Sequence, residues 1–150
     1  MKNFTLPIRF GLATSGSLIA YFLVLSLFNL HTNIFFSLFN GIITGFGIYE
    51  AIKYRRLEEG ATFNYNKGFS TGIVTGFMAT LLFTVFFAVY TTDINPAFLV
   101  QLSELWLKIL SFAGSVFFTV AIMGFATSIV LTLSFMQLFK TSNNIVMKKI

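Results

Sequence analysis

The sequence predicts an all-α polytopic membrane protein: four transmembrane helices, with an amphipathic helix lying on the outer leaflet before the fourth. Two observations carry that reading. Apolar residues make up 56% of the chain and charged residues only 10%, a balance that a domain with a wetted surface could hardly carry. The charges are also confined to short segments, leaving uncharged runs at 10–49, 68–92 and 109–139. At about 20 residues per span, the first run holds two helices and the others one each. None of the runs shows the period-two alternation of strands. The 150 residues therefore form a single four-helix transmembrane domain, with spans at about 10–29, 34–52, 68–91 and 111–138.

The first span follows Lys2 and Arg9 and ends at the turn Asn29-Leu30-His31-Thr32-Asn33. It is too long for the apolar core of a secretory signal, and no small-x-small site closes it near Asn29, so it is expected to stay uncleaved. The second span carries a stripe of small and polar residues, Ser37, Asn40, Gly41, Thr44 and Gly45. Its helix is expected to run on through Glu58 or Glu59 and to stop at Gly60 as a C-cap.

The third span places Gly68, Gly72, Gly76, Thr80, Thr84 and Ala88 at four-residue intervals. Glycine costs a helix roughly 1 kcal/mol against alanine. In lipid, however, helices associate by close backbone packing, and a small residue at every fourth position clears one face for that approach. The stripes of the second and third spans are expected to face each other in an antiparallel hairpin. The alternative is that one glycine face receives a helix from another protein.

Asn40 is the most polar side chain within any span, and an unsatisfied amide in hydrocarbon costs several kcal/mol. At about 1.5 Å of rise per residue, Asn40 lies roughly 9 Å below the outer end of its span and Tyr21 roughly 12 Å below the outer end of the first. An interhelical hydrogen bond between Tyr21 and Asn40 is one expectation. Separate bonds from each to a carbonyl or hydroxyl are the other.

Between the third and fourth spans lies TTDINPAFLVQLSELWLKIL. Asn95 followed by Pro96 is a helix start, the side chain capping free amides and the ring suiting the first turn. Phe98, Leu99, Leu102, Leu105, Trp106, Ile109 and Leu110 then fall on one side, with Gln101, Glu104 and Lys108 on the other, as in an interfacial helix. Gly114 is expected where that helix turns into the membrane. As one helix the final uncharged run would be about 46 Å long, more than the hydrocarbon core of about 30 Å.

Lys2, Arg9, Lys53, Arg55, Arg56, Lys67, Lys140, Lys148 and Lys149 share one side of this topology, against Lys108 alone on the other. Lysine and arginine are held on the cytoplasmic side in short loops, so both termini are expected there. Tyr90 and Trp106 would form the outer aromatic belt and Tyr49, Tyr54 and Tyr65 the inner one. The net charge of +5 thus reflects topology, with weak attraction to anionic headgroups. Nucleic acid is not an expected partner, because the basic residues are scattered over three short segments.

Little catalytic chemistry is on offer. Ionisable residues are absent from the span interiors, where transporters keep proton and ion relays; Glu50, near the inner end, reads as a helix-end ion pair with Lys53. His31 stands alone without a second ligand at metal spacing, and there is no cysteine. The chain is expected to be no enzyme, with no catalytic residue, no cofactor and no metal.

The order of a basic, tyrosine-containing loop, then FNYNKGFSTGIVTGFMATLLFTVFFAVY, then DINPAF resembles the small bacterial inner-membrane proteins of domain of unknown function family 4199. The resemblance covers residues 40 to 105, most specifically Lys67-Gly68-Phe69, Gly72 and Asn95-Pro96-x-Phe98. It implies a four-helix protein of the bacterial inner membrane and no assigned activity. The leading expectation is a non-catalytic accessory or assembly subunit of a larger inner-membrane complex, with the bilayer and other membrane protein subunits as partners. A small oligomeric transporter or channel, with a polar path along Ser37, Asn40, Thr44, Thr80 and Thr84, is the alternative. A membrane-stress or lipid-sensing role is a third.

Overall fold

The computed structural model describes residues 2–30, 34–100 and 113–139. They form four long helices, α1 (Lys2–Leu27), α2 (Ile34–Glu59), α3 (Tyr65–Val89) and α4 (Ala113–Leu138), with no strand among the described residues. Each is 25 or 26 residues long, about 38 Å of rise, and each is apolar enough to cross a bilayer. The bundle has a basic end, where α1 starts, α2 meets α3 and α4 finishes. Its far end holds the α1–α2 turn and the segment after α3.

Local chemistry sets the helix ends. α1 stops where Asn29 takes a left-handed φ of 55°, which asparagine tolerates better than most residues. The amides of Asn29 and Leu30 then donate back to the carbonyls of Ser26 and Leu25, at 3.1 and 2.9 Å, the pattern of a Schellman stop. α2 runs through Glu59 and is followed by Gly60 at φ 52°. α3 begins three residues before the glycine series because the Asn64 side chain accepts the Lys67 amide at 3.0 Å, a standard N-cap. α1 reaches back to Lys2 through Pro7. Pro7 is its sixth residue, beyond the four free amides of a helix start, so α1 goes without one backbone hydrogen bond there.

At its far end α3 widens into a π turn, Tyr90–Ile94, closed by the Asn95 amide on the Tyr90 carbonyl at 2.8 Å. Asn95 then accepts the Phe98 amide on its side chain at 3.3 Å, and residues 96–100 are helical. The remainder of the expected interfacial helix, Trp106 included, lies outside the described residues, as does His31.

α3 is the hub: it packs against α1, α2 and α4, while α2 also touches α1 and α4. Among the described residues α1 and α4 do not pack on each other, so one face of α3 lies open between them. Two buried clusters fill the bundle. Ile48, Ile52 and Met136 sit toward the basic end. Toward the far end, Phe22, Phe87, Tyr90, Phe98 and Val116 join α1, α3, the 96–100 turns and α4. The outer-belt expectation for Tyr90 is corrected here. It is 5% exposed, and the Ser26 hydroxyl of α1 pairs with its own hydroxyl, which removes the need for a wet interface.

Candidate functional site

Three places hold the residues that the sequence singles out: the glycine seam, the far-end half of α2, and the basic end. The seam differs from expectation in its partner. A methyl group built on Gly72 would stand 2.5 Å from Thr132 Cγ2, and one on Gly76 would stand 2.5 Å from Ser128 Cβ. Gly68 faces Met136, and Thr80 fills the space over Gly124. The α3 series therefore interlocks with a second four-residue series on α4, running antiparallel, and not with the α2 stripe.

The reason lies in what α2 presents to the same glycines. At that level α2 offers Ile48 and Ile52, which reach to 3.1 Å of a Gly76 Cβ and 3.0 Å of a Gly72 Cβ. Large side chains hold α2 off as a ridge, whereas the hydroxyl residues of α4 let backbones close. The small residues of α2 are spent elsewhere. Gly45 meets Leu131 and Phe135 of α4 at 3.6 Å, Gly47 meets Thr14 of α1, and Gly41 has nothing within 4 Å. Thr84, last of the hydroxyls in the α3 series, turns back on the Thr80 carbonyl at 2.8 Å.

The Tyr21 to Asn40 hydrogen bond does not form. Tyr21 donates instead to the Phe36 carbonyl at 3.0 Å, reaching α2 one turn nearer the far end. A helix carbonyl that serves its own i+4 amide keeps a second lone pair for such a donor. Asn40 Oδ1 is left buried without a donor, and Ser37, one turn away, is exposed.

At the basic end Glu50 pairs with Lys53 at 3.1 Å, a helix-end pair of the kind expected. The surprise is Arg55, only 5% exposed. Its Nη2 pairs with Glu59 at 2.9 Å and its Nη1 stands 3.8 Å from Glu58, while Nε is buried with no acceptor. Glu59 also pairs with Lys67. A cleft of about 270 Å³ opens beside these groups, between Pro7 of α1, Arg55 of α2, and Asn64, Lys67, Ser70 and Thr71 of α3 and its cap. Sequence reading gave Arg55 no role beyond topology, and Lys67 only that and a place in the family motif. The missed signal is spacing: Ile48, Ile52 and Arg55 are i, i+4 and i+7 on one helix face, so the arginine continues a buried stripe. Among the described residues, no group of three His, Cys, Asp or Glu is placed to hold a metal ion.

Four apolar helices packed through small-residue seams, with the charges gathered at their ends, define a polytopic α-helical membrane protein. A family model described as "Protein of unknown function (DUF4199)" matches residues 9–147, and the chain belongs to that family. The match extends well beyond residues 40 to 105, taking in α1 and α4. No curated protein and no solved structure matches the chain.

Proposed function

We propose that this chain is a non-catalytic accessory or assembly subunit of a larger inner-membrane complex, and that the far-end half of α2 receives a helix of another subunit. One observation carries the reading. Ser37, Asn40 and Gly41 share a helix face with Thr44 and Ile48, which are buried in the bundle. Over Ser37 and Gly41 that face is uncovered among the described residues, while the unpaired Asn40 oxygen lies buried beneath it. Small residues on an uncovered face admit the close backbone of a transmembrane helix from another subunit.

The α3 glycines do not compete for this role, since α4 covers them. Weighing against a polar transport path, Thr44 donates to the Asn40 carbonyl at 2.8 Å, and Thr80 lies 3.5 Å from Ser128 inside the α3–α4 seam. The test is extraction of the tagged protein from its own membrane in mild detergent, followed by mass spectrometry of what stays bound. Stoichiometric recovery of other membrane subunits is expected, and its loss in Gly41→Leu with the fold intact. Recovery alone as a defined homo-oligomer would sink the reading and favour the channel.

The same reading places both termini in the cytoplasm of a bacterial cell, on the strength of the basic-residue asymmetry. Because the chain has no cysteine, Ala61→Cys and Asp93→Cys give unique reporters. An impermeant thiol reagent is expected to label the Asp93 variant in cells whose inner membrane is intact. The Ala61 variant should label only once that membrane is permeabilised, and the reverse pattern would invert the topology.

A further inference from the structure

We propose that the cleft at the basic end binds the phosphate of an anionic phospholipid headgroup, whose acyl chains lie along the open face of α3. The argument starts from Arg55. Burying a guanidinium is costly unless its donors are satisfied, and here Nε has no acceptor although the residue is 95% buried by its 5% exposure. The guanidinium is therefore under-satisfied, and phosphate is the anion that arginine suits best. Arg55 lines the cleft, and so does Lys67, whose ammonium bonds Glu59 and, at 3.2 Å, the Thr62 carbonyl. That leaves it one of three donors.

The cleft itself is lined by the cations of these ion pairs. Arg55 and Lys67 line the cleft, whereas Glu58 and Glu59, which hold the Nη atoms and the lysine, are not among its lining residues. The start of α3 adds the positive end of a helix dipole. At about 270 Å³ the cleft falls below the usual small-molecule range of about 300–1,000 Å³. That is room for a headgroup and not for a whole lipid.

The apolar part of such a ligand has a place to go. From Ser70 at the cleft, Val74, Phe77, Leu81 and Val85 continue along one side of α3 at helical spacing. Leu81 and Val85 are exposed on the side of the hub that α1 and α4 leave uncovered, and Phe77 borders it with its ring against Phe125 of α4 at 4.5 Å. A basic pocket between helix ends, opening onto a lipid-facing groove, is how membrane proteins select anionic lipids.

The test follows thermal unfolding of the purified, full-length protein in neutral detergent micelles with added phosphatidylglycerol, phosphatidylcholine or inorganic phosphate. Phosphatidylglycerol is expected to raise the midpoint and to bind about tenfold more tightly than phosphatidylcholine, with phosphate alone ineffective. Arg55→Gln should abolish the preference, but it alters a buried group and could unfold the chain. Asn66→Asp is the safer variant. It places a carboxylate at the exposed rim of the cleft within the first turn of α3, where negative charge is favourable. It should keep the lipid-free midpoint and lose the preference. A preference that survives Asn66→Asp would overturn the proposal. Equal stabilisation by inorganic phosphate would make this a free-anion site and overturn the lipid assignment.

Discussion

Gly72→Leu is expected to lower the stability of the protein in detergent by about 3 kcal/mol, the upper part of the range for forcing methylenes into a packed interior. Gly41→Leu should leave it nearly unchanged. A side chain at position 72 meets Thr132 on one side and Ile52 Cδ1 at 3.0 Å on the other. Thr132 is β-branched, fully buried and stiff at χ1, so it cannot swing clear. Accommodation means parting α3 from α4. Position 41 offers open space instead, with nothing within 4 Å, and leucine is a better helix former than glycine. The comparison is read from unfolding midpoints of the two variants in one detergent. Equal midpoints would mean that α3 and α4 do not meet through this seam. A stable Gly72→Leu that no longer recovers partner subunits would show that the α3 glycines face another protein.

The contrast shows what sequence could and could not yield. The α3 series says that a face has been cleared for close approach; it does not say which helix approaches. In a soluble bundle the wet side of each helix breaks that degeneracy, but spans that are apolar on every side have no such marker. Here the answer was nonetheless written in α4, where Gly124, Ser128, Thr132 and Met136 repeat the four-residue interval. Tyr21 and Asn40 illustrate a second limit. Height along two helices can be counted from their ends, whereas rotation about their axes cannot, and Tyr21 reaches α2 a turn from the side chain expected. Stops and starts fared better, because Gly60 and the Asn95-Pro96 pair act through their own backbone chemistry and need no tertiary partner. Arg55 escaped notice because a basic residue near a span end has a sufficient explanation in topology. Only its burial shows that it belongs to the packed interior.

Phe22→Ala carries the other large effect, with an expected loss of about 3 kcal/mol, the lower end for truncating a buried aromatic. Leaving lipid for the bundle interior gains an aromatic ring little by transfer alone, so the cost must come from contacts and from the cavity left behind. Those contacts are many. The Phe22 ring stands edge-on to Tyr90 at 5.0 Å, to Phe87 at 5.8 Å, and to Phe83 and Phe86 at 6.1 Å each, and such pairs contribute about 0.5–1.5 kcal/mol each beyond area. Its partners are anchored by the covalent course of α3 and cannot all collapse onto a methyl group. Phe46→Ala is the matched control, since that ring is 68% exposed and its loss should stay within about 0.5 kcal/mol. A second readout separates a local cavity from a general loosening. Phe98 packs on the Phe22 ring at 6.1 Å and seats the 96–100 turns, so amide exchange at those turns should quicken in Phe22→Ala more than exchange near Gly72. Uniform acceleration would assign the aromatic cluster to global stability alone. Equal stability of the Phe22 and Phe46 variants would remove it as the anchor of the far end, leaving the hydroxyl seam of α3 and α4 to hold the bundle together.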